Sequence, residues 1–154
     1  MVAKRLTIRN YMTASPITIG LDQSLAAAHA VMREHRIRHL PVLEQGRLVG
    51  IVTERDLHLV ETLRDVDPAS VQVEEAMTPD PYAISPETSL EWVVSEMAEH
   101  KYGAAVVIDG RNKVLGVFTT VDAMHALQDL LADERRRRRH EDAPAAGKRA
   151  DTGC

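Results

Sequence analysis

The chain has 154 residues, a formal net charge of −4, an apolar content of 44% and only 3% aromatic residues. This charge gives no overall case for binding nucleic acid or an anionic membrane. Cys154 is the single cysteine and cannot form an internal disulfide, and no apolar run approaches the roughly 20 residues that span a bilayer. Because the start also lacks a secretion signal, we expect a cytoplasmic protein without a membrane anchor.

The first half of the chain predicts strand, helix, strand, strand and helix. A short strand at residues 17–19 ends at Gly20, and a helix follows from about Ser24 with Asp22 as its N-cap. The apolar spacing in this helix predicts a core-facing stripe, formed by Leu25, Ala28, His29 and Met32. Two apolar runs at 40–43 and 48–52 read as a hairpin, and a second helix runs from Thr53 to near Arg64.

The second half repeats this order. The core stripe of its first helix is predicted at Leu90, Val93, Val94 and Met97. Paired strands are expected at 104–108 and 114–118, and a last helix runs from about Thr120 into Arg135 or beyond. Residues 141–154 are small, polar and charged, and we expect them to be a disordered tail.

An internal repeat organises these elements. The segment Gly50-Ile-Val-Thr-Glu-Arg-Asp56 returns as Gly116-Val-Phe-Thr-Thr-Val-Asp122, and each copy follows a Met-Thr pair at an equivalent distance. Units of about 60 residues bury too little surface to be stable alone, so the two should share a core. We divide the chain into a first repeat at 1–64, a linker at 65–71, a second repeat at 72–132, and a basic run with tail at 133–154.

The junction at Thr53 offers one place for ligand chemistry. A helix start attracts anions through its free amides, Arg55 in the first turn adds a cation, and the Asp56 carboxylate suits a pair of ribose hydroxyls. Thr-x-x-Asp is also close to a capping box, in which the two side chains only satisfy each other's backbone amides. Thr119 and Asp122 have the same spacing, and the residues alone leave both interpretations open.

The order of these motifs resembles a tandem pair of cystathionine-beta-synthase-type (CBS) domains, an arrangement known as a Bateman module. The resemblance covers about Tyr11 to Leu127 and rests on Met-Thr-x-x-Pro, the Ser-Leu helix start, Leu40-Pro41-Val42 and the closing Gly-h-h-Thr-x-x-Asp, where h is apolar. It implies an α+β fold of two pseudo-symmetric β-α-β-β-α units packed as one globule. It also implies regulatory binding of AMP, ADP, ATP or S-adenosylmethionine in clefts between the repeats, with no required cofactor.

The resemblance also implies which residues hold the ligand. The aspartates hold the ribose, the threonines lie near ribose and phosphate, residues of each first strand border the base, and basic residues before the next strand face the phosphates. In this sequence these residues are Ile17, Thr18, Arg38, His39, Thr53, Asp56, Tyr82, Ala83, Thr119 and Asp122.

The two copies differ in charge. The first has Arg38, His39 and Arg55, whereas the equivalent positions of the second are Gly103, Ala104 and Val121. Gly103 permits a close backbone approach but brings no charge. We therefore favour Thr53 and Asp56 for a phosphorylated ligand, and expect the second site to be empty or to take an uncharged adenosyl group.

Other functions have weaker support. No spacing of His, Cys, Asp and Glu resembles a metal site, and no catalytic motif is present, so we expect neither a metal nor an enzyme. Five consecutive arginines from Arg135 to Arg139 could contact nucleic acid, but no aromatic platform accompanies them, and we favour a solvated helix end over nucleic-acid binding. Leu127, Leu130 and Leu131 predict an interaction face, so we expect a homodimer that signals to an effector in trans. A scaffold that dimerises without ligand is the alternative.

Overall fold

The computed structural model describes residues 6–142. The expected disordered tail lies outside the described residues from position 143 onward. Its first residue, Glu141, belongs instead to the last helix, which ends at Asp142. No helix among residues 6–142 is long and apolar enough to cross a membrane.

Within residues 6–142, eight strands form two sheets of the same topology. The first sheet has the order β2-β3-β4-β5, with β2 (Ile19–Gly20), β3 (His39–Glu44), β4 (Arg47–Thr53) and β5 (Thr78–Pro79). The second has the order β1-β8-β7-β6, with β1 (Thr13–Ala14), β6 (Ala83–Ile84), β7 (Ala104–Ile108) and β8 (Val114–Thr119). In each, one edge strand is parallel to its neighbour and the other pairs are antiparallel. The predicted α+β class with two pseudo-symmetric units is confirmed.

The repeats exchange their leading segments. Strand β5 lies near the start of the second repeat but pairs with β4 of the first, while β1 lies near the start of the first repeat and pairs with β8 of the second. The apolar cores follow the same exchange, because Ile8 packs into the core of the second unit and Val73 into the core of the first. The predicted sequence boundaries at 1–64 and 72–132 thus do not coincide with the two packed bodies.

The glycine that opens each repeated motif makes this exchange possible. A Cβ placed on Gly50 would lie 2.5 Å from Sδ of Met77 and 2.9 Å from the carbonyl oxygen of Thr78. At Gly116 the nearest atom would be Sδ of Met12, at 2.6 Å. The recurrence of Gly and Met-Thr in the sequence therefore reflects one contact, made twice.

Helix α1 (Leu25–His35) begins later than the predicted cap requires. Its N-cap is Ser24, whose hydroxyl oxygen accepts a hydrogen bond of 3.0 Å from the amide of Ala27. The prediction of Asp22 is wrong, because a capping side chain must directly precede the first helical residue. Helix α4 (Leu90–His100) is capped equivalently by Ser89.

The core stripes of α1 and α4 are narrower than predicted. The buried members are Leu25, Ala28, Met32, Leu90, Val93 and Met97. His29 lies beside the next helix of its own repeat, with Nδ1 at 2.8 Å from a carboxylate oxygen of Glu61, and Val94 is 36% exposed. Since His29 and Val94 occupy equivalent positions at the edge of the stripe, one helical geometry accounts for both errors.

The remaining α-helices within residues 6–142 are α2 (Glu54–Glu61), α3 (Val73–Ala76) and α5 (Thr120–Asp142). Helix α2 ends three residues before its predicted end near Arg64. The first predicted strand, at 17–19, is displaced to Ile19–Gly20, because pairing with Val42 and Leu43 of β3 defines it.

Candidate functional site

Both Thr-x-x-Asp motifs form capping boxes at the junction between a strand and a helix. The Thr53 amide donates to Oδ2 of Asp56 at 2.9 Å, and the Asp56 amide donates to the Thr53 hydroxyl oxygen at 3.1 Å. The corresponding distances between Thr119 and Asp122 are 2.9 Å and 3.4 Å. The capping interpretation is thus observed at both places. A carboxylate has about four acceptor positions, so capping leaves further capacity for a ligand.

A cavity of about 770 Å³ lies between the two sheets at the Thr53 junction. This central cavity receives His39, Ile51, Thr53 and Arg55 from the first repeat. From the second repeat it receives Thr78, Asp80, Pro81, Tyr82 and Ala83 on the segment that crosses between the sheets, and residues 101–104. Its volume is within the range of small-molecule sites, and both repeats form its walls.

The walls of the central cavity carry more positive than negative groups. Arg55 and Lys101 are cations, and Asp80 is the acidic lining residue. Asp56 lies next to the cavity, hydrogen-bonded to the lining residue Thr53. Phosphate and a ribose diol are the groups that cations and a neighbouring carboxylate recognise together.

His39 crosses the middle of the cleft towards the second repeat. A Cβ on Gly103 would lie 3.1 Å from Nε2 of His39, so the glycine leaves room for the imidazole. Burial and, to a lesser extent, the Arg38 charge lower the pKa of His39, against an opposing effect of Asp56. The imidazole is therefore neutral at pH 7, so one of its ring nitrogens can donate a hydrogen bond and the other can accept one.

An aromatic wall completes the central cavity. Tyr82 stacks on Tyr102 with ring centroids 5.0 Å apart, and His100 stacks on Tyr102 at 5.2 Å. Burial, followed by the charge of Glu96 and by Tyr102, raises the pKa of Tyr82. The hydroxyl stays protonated at neutral pH, and among residues 6–142 it has no hydrogen-bond partner.

The structure gathers some of the predicted site residues and separates others. The central cavity unites His39, Thr53, Arg55, Tyr82, Ala83 and Gly103. Arg38 lines an adjacent cavity of about 340 Å³ and pairs with Glu54 at 3.5 Å, on the outer side of α2. Thr18 lines a different cavity of about 470 Å³, and Ile17 packs against the first core. Thr119 and Asp122 lie at the other junction.

The central cavity adds residues of the second repeat to this group. Thr53 lines it with Tyr82 and Ala83 of that repeat, and Thr53 also lines the adjacent cavity with Arg38 of its own repeat. The reason is the exchange of leading segments, since the chain from Thr78 to Ala83 runs from the first sheet to the second.

Sequence reasoning missed Lys101, Tyr102 and Asp80. Lys101 and Tyr102 follow the end of α4, where Lys101 has a left-handed backbone with φ of 59°. The sequence comparison matched Gly103 and Ala104 to Arg38 and His39. The basic Lys101 and the aromatic Tyr102 directly precede that pair and could have been noticed there. Among residues 6–142, no group of three or more His, Cys, Asp and Glu side chains is arranged to hold a metal ion.

The family model of the CBS domain matches this chain at residues 8–60 and 73–129. Inosine-5'-monophosphate dehydrogenase of Korarchaeum cryptofilum is 32% identical over 123 residues, which are 80% of this chain and 24% of that enzyme. The CBS domain-containing protein YhcV of Bacillus subtilis is 29% identical over 75% of this chain and 81% of its own. The chain thus spans about a quarter of the dehydrogenase and most of YhcV.

Solved structures show the same fold. A putative acetoin utilization protein (AcuB) from Vibrio cholerae has a TM-score of 0.77 and 25% identity, covering 86% of this chain and 97% of its own. The CBS domain pair of protein MJ0100, in complex with 5'-methylthioadenosine and S-adenosyl-L-methionine, has a TM-score of 0.74 and 23% identity over 81% and 98%. CBSX2 from Arabidopsis thaliana, in complex with AMP, has a TM-score of 0.72 and 24% identity over 81% and 98%.

Proposed function

The chain belongs to the CBS domain family, and from this premise we propose that it is a regulatory module that binds an adenosyl ligand in the cleft between its repeats. The observation that carries the proposal is the central cavity, where Arg55, Lys101 and the aromatic pair Tyr82 and Tyr102 converge beside Asp56. The complexes of MJ0100 with two adenosyl compounds and of CBSX2 with AMP support this ligand class.

In this proposal, each part of the ligand meets a different element. Asp56 accepts hydrogen bonds from the ribose hydroxyls, while Arg55 and Lys101 face the phosphate or the methionine carboxylate. Tyr82 and Ala83 border the base. An anionic group bound beside His39 would raise the pKa of its imidazole, against the lowering by burial.

Signalling follows from the position of the cavity. Thr53 and Arg55 belong to the first sheet and helix α2, whereas Tyr82 and Lys101 belong to the second unit. A ligand that contacts both sides favours arrangements of the units in which these contacts coexist, and the populations shift accordingly. An effector protein in trans reads the shifted state, and no catalysis is required of this chain.

Calorimetry and thermal unfolding with AMP, ADP, ATP, NAD and S-adenosylmethionine test the proposal. A ligand at 100 times its dissociation constant should stabilise the protein by about 2.7 kcal/mol. Asp56→Ala should weaken binding at least tenfold, because it removes a charge-assisted acceptor of the ribose hydroxyls. Asp142→Ala, at the end of α5 and far along the chain from the cavity, is the matched control. Protein free of bound nucleotide that responds to none of these compounds would contradict the proposal.

The exposed face of α5 supports a homodimer as the assembly in which the module acts. Its large apolar side chains, each at least half exposed, are Val121, Met124, Leu127 and Leu131. A contiguous exposed apolar face of this kind fits a two-fold symmetric contact between two copies of the chain.

Met124→Glu tests this assembly. A charge at the centre of the apolar face should convert the dimer into a monomer in light scattering coupled to gel filtration. His140→Glu, beyond the apolar face, is the control. Monomeric wild-type protein would contradict the proposed dimer but not the ligand site.

The arginine run gives less support to nucleic-acid binding, since Arg136 and Arg138 pair with Asp133 and Glu134 at 3.1 Å.

A further inference from the structure

The two motif aspartates differ in how many partners they already have. Oδ1 of Asp122 accepts a hydrogen bond of 3.0 Å from the Thr13 hydroxyl. Oδ2 of Asp122 accepts from the amide of Thr119 at 2.9 Å and from its hydroxyl at 3.2 Å. Both carboxylate oxygens of Asp122 are therefore engaged within the protein.

Asp56 has a free oxygen in the described part of the chain. Its Oδ2 accepts from the amide of Thr53 at 2.9 Å, and among residues 6–142 its Oδ1 accepts no hydrogen bond. Thr78 holds the position equivalent to Thr13, but it lines the central cavity and makes no bond to Asp56 within this range. The pseudo-symmetry is broken at this hydroxyl.

Strand pairing holds Thr13 in place. Thr13 and Ala14 form β1, opposite Val117 and Gly116 of β8, and the amide of Ser15 donates to the Leu115 carbonyl oxygen at 3.0 Å. Because Thr13 belongs to the leading segment of the first repeat and Asp122 to the second repeat, the Thr13 hydroxyl reaches Asp122 only through the exchange of leading segments. The contact is thus part of the second sheet.

We propose that Thr13 closes the second site. A carboxylate has about four acceptor positions and holds a vicinal diol with two of them. Thr119 and Thr13 together donate three hydrogen bonds to Asp122, so about one position remains where the diol needs two. Each protomer then binds one adenosyl ligand, at Asp56. This inference rests on the proposed function and adds the stoichiometry and the residue that sets it.

The difference in basic residues does not explain the asymmetry by itself. Val121 replaces Arg55 at the second junction, which removes a partner for phosphate. An uncharged nucleoside needs no such partner but still presents its diol. A ligand without phosphate therefore distinguishes two explanations for an empty second site, the hydrogen bond from Thr13 and the lack of a cation.

The test is calorimetry with 5'-methylthioadenosine on the full chain. Wild type and Asp122→Ala should bind one ligand per protomer. Thr13→Val and Thr13→Ala should bind two, with the second site at least about tenfold tighter than in wild type, since one charge-assisted hydrogen bond no longer competes. Thr13→Ser keeps the hydroxyl and should bind one, as should Thr62→Val, a control at an exposed threonine that does not line the central cavity.

The outcomes separate the two claims. Two ligands per wild-type protomer, or one ligand in folded Thr13→Val and Thr13→Ala, overturn closure by Thr13 and leave the proposed function standing. No binding of nucleoside or nucleotide by any variant overturns the proposed function, and the inference with it. A double-mutant cycle of Thr13→Val and Asp122→Ala in ligand-free protein should show coupling, and strict additivity of the two changes would also overturn the inference.

Discussion

At the scale of single residues, neighbours in the sequence serve different surfaces of the cleft. Arg38 and His39 are adjacent in the chain, yet Arg38 pairs with Glu54 outside the central cavity while His39 extends across it to Gly103. Arg38 lies at a bend and His39 is the first residue of β3; both line the adjacent cavity of about 340 Å³, and His39 also lines the central one. The sequence identified both residues as basic but could not assign them to one side.

The lowered pKa of His39 makes stability depend on pH. Its unfolded-state pKa is close to 6.5, and burial holds the folded-state pKa lower. The unfolded chain then binds more protons between the two values, so the free energy of unfolding falls as the pH drops below about 6.5 and is unaffected above it. Denaturant titrations of wild type and His39→Gln should show a smaller acid loss in the variant. His35→Gln, at an exposed position, should behave as wild type, and equal slopes in all three proteins would contradict the assignment.

At the scale of elements, the repeated motif is a packing device as well as a candidate ligand site. Gly50 and Gly116 admit the sulfur and backbone of the edge strands β5 and β1, which come from the other repeat. The threonine and aspartate of the same motif then start α2 and α5 with a capping box. One short sequence thus sets the edge of a sheet, the start of a helix and one wall of the cleft.

Gly50→Ala should therefore destabilise the fold. The added Cβ would meet Sδ of Met77 at 2.5 Å and the Thr78 carbonyl oxygen at 2.9 Å, and the backbone atom cannot rotate away. Overpacking of this kind costs about 1–3 kcal/mol, measured as the free energy of unfolding in denaturant. Gly110→Ala is the control, because no atom lies within 4 Å of its added Cβ. A loss no greater than that of the control would show that β5 is held loosely.

At the scale of the whole molecule, the exchange of leading segments joins the repeats into one folding unit. Ile8 is fully buried in the core of the second unit, and its amide donates to the Thr88 carbonyl oxygen at 2.9 Å. Val73 is likewise fully buried in the core of the first. Each core therefore depends on residues that lie outside the repeat forming most of it.

Ile8→Ala should destabilise both units together. Truncating a buried isoleucine costs about 2–5 kcal/mol, and the exchange should keep unfolding a single transition by circular dichroism and by Trp92 fluorescence. Arg9→Ala removes only an exposed ion pair with Glu87 and should cost less than about 1 kcal/mol. Separate transitions for the two probes would mean that the repeats fold independently.

The repeat, the α+β class and the two capped helix starts could be predicted from the amino-acid sequence. The repeated motifs, the apolar spacing within helices and the Thr-x-x-Asp caps are visible as patterns in the sequence. Such patterns correspond directly to the backbone structure that forms there. The errors of this prediction were equally local, as with Asp22, whose capping role depended on where α1 begins. Three relations are visible only in the folded protein. Strands β1 and β5 pair with the sheet of the other repeat, Thr53 lines a cavity with Tyr82 and Lys101, and the Thr13 hydroxyl bonds to Asp122. Those relations arise from contacts between residues far apart in the chain, chosen by the packing of two cores, and no local pattern records them.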